Sequence, residues 1–314
     1  MTNVPSTGAG RTDFGPFFAD MFAITGSIRY VAVGRGQGIA MQQRVGVDVA
    51  SSDVSNRFEE LLVNPTLLTP ATQRGDLDCG ELHHLIIGYG YFNAYALPIP
   101  GGTRVRLLRA RFGPRGEQRR HSTGHRAPSG VGRPYGATDA LSCRWDGWHT
   151  VTGDAAFRSV VAAGMKVIVF SAVGWPCYRR GPTPLSEQAT GGKSMNDLHD
   201  DVFAISPDIR YVAAAHGEQL KMRSRPDLQN ASSSNSDLYE ELLVNPTLLT
   251  LATRRGNIDC GGLRYLIVGY GHFEMLVIPT SAGHVGVGFE VGANPTDYLQ
   301  TILSVMANHG QPAV

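Results

Sequence analysis

The sequence predicts a mixed α+β protein built twice. In each copy, helices pack on both faces of a five-stranded antiparallel sheet, an α/β/α sandwich with the order α-β-β-α-β-β-β-α. Three observations carry this. The chain repeats itself at an offset of 181: residues 28–98 match 209–279 at 38 of 71 positions without a gap, and residues 59–69 recur unchanged as 240–250. Two distant copies mean a duplicated domain, because a solenoid stacks adjacent repeats. Within a copy, apolar residues switch between helical and strand spacing, and the short connections favour an antiparallel meander. The composition, 42% hydrophobic and 18% charged over 314 residues, supports a sizeable core and excludes a wholly disordered chain.

The second copy displays the elements most cleanly. Leu198, Val202 and Ile205 have helical spacing, predicting a helix over 197–204. The apolar run 209–215 predicts a strand. His216-Gly217-Glu218 is turn chemistry, so 219–223 pairs back as a hairpin. Ser232 to Ser236 form a polar loop, and Asp237 with Glu240 has capping-box spacing for a helix through Val244. Asn245-Pro246 then predicts a kink, or a second short helix capped by Asn245. Arg254 and Arg255 suit its C-terminal end, where they complement the helix dipole, and Gly256 suits the position after it. Strands over 263–268, 273–278 and 284–291 follow between Gly-rich and Ser/Gly turns. Asn294 caps the last helix, Pro295 opens it, and Leu299, Ile302, Leu303 and Met306 form its apolar stripe.

The repeats divide the chain into 12–103, a joining segment 104–193, and 194–310. The formal net charge of +1 hides this division. From Arg104 to Ser186 there are 14 Lys+Arg against 4 Asp+Glu, or +10; the rest holds 14 against 23, or −9. Where the second copy continues Val285-Gly-Val-Gly-Phe-Glu290, the first turns to Arg-rich sequence without periodicity. The last strand and helix of the first copy are therefore expected to be missing. A back-translation shifted by one base from Arg104 regains the Val, Val, Phe, Glu, Gly and Pro of the second copy in register. That makes 104–193 out-of-frame or intergenic sequence fusing two adjacent genes. The alternative is a basic, Gly/Pro-rich linker. Either way low order is expected, and the Arg cluster, with only Phe112 as an interleaved aromatic, does not predict a nucleic-acid partner.

The element order resembles the Roadblock family (dynein light-chain type), a small profilin-like domain. The carrying residues are the paired strands over 209–223, the Leu263-Arg-Tyr-Leu-Ile-Val-Gly-Tyr-Gly271 strand and turn, and the 285–290 strand before the final helix. The Asn-Pro pair in the central helix departs from the smooth helix of that family. The resemblance implies a non-enzymatic protein-interaction module, a regulator or scaffold without cofactor or metal, with a small Ras-like GTPase as partner. It also implies pairing of copies, as a homodimer or an intrachain pseudo-dimer. Glu240, Glu241, Asn245, Arg254 and Tyr270, on the central helix and the turn after the next strand, are the partner-binding residues it points to. The alternative is a small-molecule sensor whose profilin-like sheet cups a ligand.

No catalytic constellation emerges. Gly286-x-Gly288-x-x-x-Gly292 has the wrong spacing for a dinucleotide loop and lies within a strand, and Glu187 spoils a P-loop ending in Gly192-Lys193-Ser194. His199-Asp200-Asp201 diverge on a helix and predict a solvated face. His83 and His84 alternate across a strand. Cys79 and Cys260 predict buried small side chains. No signal peptide is expected at the N-terminus, and the apolar stretch 160–175 is short and contains Lys166, so a cytoplasmic location without membrane attachment is expected.

Overall fold

A computed structural model describes residues 13–35, 38–46, 58–98, 166–171 and 195–314. The fold is mixed α+β, with helices on antiparallel strands. The first half runs α1 (Gly15–Ile24), β1 (Ile28–Arg35), β2 (Gly38–Gln43), α2 (Asn64–Arg74), β3 (Leu82–Tyr89), β4 (Asn93–Leu97) and β5 (Lys166–Ser171). The second runs α3 (Met195–Phe203), β6 (Ile209–His216), β7 (Gln219–Ser224), α4 (Ser234–Tyr239), α5 (Asn245–Asp259), β8 (Leu263–Tyr270), β9 (Phe273–Thr280), β10 (Gly283–Glu290) and α6 (Pro295–Asn308).

Among the described residues, ten strands join in one sheet, ordered β2-β1-β5-β4-β3-β8-β9-β10-β6-β7. Outward from β3 and β8, both halves follow the same sequence of neighbours. The expected loss of the first copy's last strand does not hold. β5 arises inside 104–193, yet it lies between β1 and β4 as β10 lies between β6 and β9. Its register agrees too: Val33 faces Val167 and Val31 faces Val169, where Ala214 faces Val285 and Val212 faces Val287. Both pairings shift at the same place, next to Arg29 and next to Arg210. The apolar run in 160–175 thus contains a strand, and no helix among the described residues is long and apolar enough to cross a membrane. The remainder of 104–193, including its reading frame and the first copy's last helix, lies outside the described residues.

Alternation of side chains gives the sheet two apolar faces. On one face, Leu67, Leu68 and Ala71 of α2 and Leu248 and Ala252 of α5 are buried in one cluster with Leu85, Ile87, Leu266 and Val268. On the other face, Leu198 and Val202 of α3 and Leu299, Ile302 and Met306 of α6 cover the second half. Phe17, Phe18 and Met21 of α1 cover Ile28, Val31 and Val33. Each fully buried leucine or isoleucine contributes about 2 kcal/mol relative to exposure, so these layers drive the fold.

The central helices differ from the sequence expectation. Neither Asn64-Pro65 nor Asn245-Pro246 breaks its helix. A π turn, Glu59–Val63 or Glu240–Val244, precedes each, closed by the Asn N–H donating to the Glu59 or Glu240 carbonyl five residues back. Proline removes one interior hydrogen bond and crowds the preceding turn, and the wider π turn accommodates both effects. The capping box is absent: Ser233 caps α4, its Oγ accepting from the Ser236 N–H at 3.3 Å. Gly256 does not follow the helix. It lies within α5, packed so closely on Leu263 that a Cβ would sit 2.8 Å from that backbone nitrogen. At α6 the expectation holds: Asn294 Oδ1 accepts from the Thr296 N–H at 3.2 Å and Pro295 opens the helix.

Candidate functional site: the seam and the helix layer

The two halves meet where β3 pairs antiparallel with β8, centred on Ile86 opposite Ile267. Each side of this centre uses the same device. Gly88 faces Tyr265, whose ring lies where a Gly88 Cβ would be, 2.4 Å away; its hydroxyl donates to Asn93 Oδ1 at 3.2 Å. Gly269 faces His84, whose ring lies 2.1 Å from a Gly269 Cβ position, and His84 Nε2 is 3.2 Å from Glu274 Oε2. A ring on one strand thus crosses a glycine on the next and pairs with a polar group one strand further.

At the ends of the seam, the repeated Asp-Cys-Gly and Gly-Tyr-Gly motifs grip each other. Gly90 N–H donates to Gly262 O and Tyr91 N–H to Cys260 O; Gly271 N–H donates to Glu81 O and His272 N–H to Cys79 O. The cysteines are free and buried, as expected, and burial pushes their thiols well up. Burial of this kind suits packing groups and disfavours the thiolate.

Beneath the helix layer, charges are exchanged between repeats. Arg74 Nε donates to Glu240 Oε2 at 3.0 Å, and Arg255 Nε to Glu59 Oε2 at 2.8 Å; all four side chains are buried. Each pair is the other shifted by 181 residues. Arg74 also binds Asp78 at 2.5 Å and Asp237 at 3.2 Å, and Arg255 binds Asp259. Burial pushes Glu240 up to about 8 and Glu59 up to about 7, against the pull of the arginines. Partial burial works to raise Asp78, but the Ser233 N–H and the Arg74 guanidinium hold it down at about 2. The sides are not identical. Arg74 Nη2 reaches Asp237, whereas Arg255 Nη2 has no hydrogen-bond partner among the described residues. The position matching Asp237 in the first copy is Asn56, outside the described residues.

The residues expected to bind a partner are placed as follows. Glu240 and Tyr270 lie in the seam, joined by a 3.2 Å hydrogen bond from the tyrosine hydroxyl. Glu241 and Asn245 are buried within their own repeat, with Asn245 Nδ2 donating to Glu241 Oε2 at 3.2 Å. Glu241 also accepts from Tyr211 at 3.2 Å and lies 2.7 Å from His284 Nε2. Only Arg254 is exposed. The first four therefore meet this chain rather than an outside molecule. His199 is likewise corrected: it is buried, while Asp200 and Asp201 face solvent and bind Arg223 and His309. His83 and His84 alternate as expected, His83 exposed and His84 buried.

The outer side of the two central helices is a different surface. Leu62 and Leu243, at matching positions, are 57% and 54% exposed; Leu77 and Ile258, also matching, are 60% and 59% exposed; Leu242 is 62% exposed. Among the described side chains, the other exposed positions between residues 59 and 79 and between 240 and 259 are Thr66, Thr69, Gln73, Asp76, Thr250, Arg254 and Asn257. Only two of these carry charge. A solvated helix face normally bears many charged residues. The sequence offered no warning of this surface, because the same leucines fit a helical core stripe. No protein family, curated protein or solved structure matches this chain.

Proposed function

We propose that the chain is a non-enzymatic protein-interaction module, a regulator or scaffold of the Roadblock type with two profilin-like copies, and that it docks its partner on the outer side of the paired central helices. The observation that carries this is the duplicated exposure of Leu62 with Leu243 and of Leu77 with Ile258. The copies differ at 33 of the 71 aligned positions, 71 less 38 identities, yet both keep large apolar side chains in water there. Large apolar side chains held in water with few charges among them mark interaction sites. The seam favours the same reading, since its buried charges are consumed in pairing the repeats and hold the helix layer in one geometry. A small Ras-like GTPase is the partner class the resemblance implies.

The test is binding of the immobilised chain to a panel of small Ras-like GTPases, each loaded with GDP or a GTP analogue. The Leu62→Glu/Leu243→Glu variant serves as comparison. Docking on this surface predicts binding by the parent chain and at least about a tenfold loss in the variant, the cost of removing interface anchors. Matching circular dichroism would show the variant folded. Equal binding by both proteins, or none by the parent chain, would overturn the proposal.

A further inference from the structure

The ten-stranded sheet ends in β2 and β7, and the two edges are chemically unlike. Among the described residues each has one neighbouring strand. An open strand edge offers unpaired N–H and C=O groups, and proteins defend such edges with charged residues and proline. β7 is defended. Lys221 and Arg223 lie in it, and Pro226 follows one residue after Arg225. At the matching positions the first copy has Ala40, Gln42 and Val45. β2, reading Gly-Ile-Ala-Met-Gln-Gln, has no charge and no proline, and Val45 beyond it is exposed.

Self-pairing across a two-fold axis makes the difference concrete. Opposed residues in an antiparallel pair must share a face of the sheet, so the axis falls between one residue and the same residue of the second copy. Centred on Met222, two β7 strands would oppose Lys221 with Arg223 of the second copy, twice, and like charges so placed destabilise a pair. Centred on the matching Met41, two β2 strands oppose Ala40 with Gln42, which carries no penalty. The backbone is ready as well. The Arg44 N–H is turned inward to the Arg29 carbonyl at 2.7 Å, so by antiparallel alternation the N–H groups of Ile39, Met41 and Gln43 point away from β1. The β3·β8 seam already joins two repeats by this edge-to-edge geometry.

We infer that β2 is a homotypic docking edge. Two chains join β2 to β2, antiparallel, continuing the sheet across a closed two-fold dimer. This stands independently of the helix-layer proposal, since it uses an edge strand of the sheet and not the helices over its face.

The test is light scattering on the full chain through a dilution series, beside the Ala40→Lys/Gln42→Lys variant. The variant places lysines opposite lysines at the proposed junction and recreates the β7 defence. The expected result is twice the chain mass for the parent protein and a single chain mass for the variant. Amide exchange of Ile39, Met41 and Gln43 in the parent chain should slow as concentration rises, which tests the edge without any substitution. Four outcomes overturn the inference: a parent chain that is monomeric throughout, a variant that dimerises as before, exchange at those amides that ignores concentration, or open-ended growth, which would mean β2 pairs with β7.

Discussion

Arg74 and Arg255 carry their charges into the interior, and the carboxylates they meet come largely from the other repeat. Removing an arginine leaves the buried acids it binds without a donor, and what charge they carry without a counter-ion. Arg74→Leu is therefore expected to cost about 3–5 kcal/mol, measured by urea unfolding, while Arg254→Leu on the exposed side should change stability by less than about 0.5 kcal/mol. The same site sets a pH dependence. Glu240 moves from an ordinary value of 4.5 up to about 8 in the fold, so between those values the folded protein holds a proton that the unfolded chain releases. Its contribution is fully present below pH 4.5 and lost as pH rises through 8. Glu59 acts likewise up to about 7. The urea midpoint should fall as pH rises across this window, and Glu240→Gln, which cannot titrate, should flatten the fall. Asp78 works oppositely, its contribution being lost only as pH falls through about 2. None of this was legible in sequence, where an arginine ending a helix and glutamates beginning one satisfy the helix dipole just as well. The partner that distinguishes the readings lies 166 or 196 residues away.

At the scale of elements, alternation and turn chemistry made β6 to β10 and α6 legible to within about two residues. What failed had physical reasons. The π turns allow proline inside a continuous helix, a remedy that local patterning does not display. β5 is separated from β4 by an Arg-rich segment, so neither repeat identity nor a short connection marks it. Two substitutions test these elements. Val169→Pro would remove a ladder hydrogen bond from a strand with neighbours on both sides, and proline is confined to edges and bulges of sheets. Loss of cooperative unfolding of the first half, followed by amide exchange in β1 and β4, is expected; unchanged protection there would mean that β5 does not contribute. Gly88→Ala would press a methyl group into the Tyr265 ring. It should destabilise by about 1–3 kcal/mol, the usual cost of overpacking, and that penalty should vanish when Gly88→Ala/Tyr265→Ala is compared with Tyr265→Ala alone.

For the whole molecule, the duplication was legible from identities alone, but its use was not. The motifs that recur unchanged do not form two separate sites; they form two halves of one junction. Because the junction is self-complementary, the second half should be able to pair with itself. A fragment of residues 194–314 is expected to dimerise through β8, with Glu240 meeting Arg255 of its mate. Light scattering on that fragment checks it, and a strictly monomeric, folded fragment would refute the symmetry argument.

Joining the halves in one polypeptide turns their association into an intramolecular event, governed by an effective concentration rather than by abundance. A free homodimer must accept each mutation twice, once on either side of its axis. A fused one need not, and the seam bears the mark of that freedom: histidine over glycine to glutamate on one flank, tyrosine over glycine to asparagine on the other. One lineage of residues has become two, each answering to its opposite number, and the assembly can acquire a left and a right without ever coming apart.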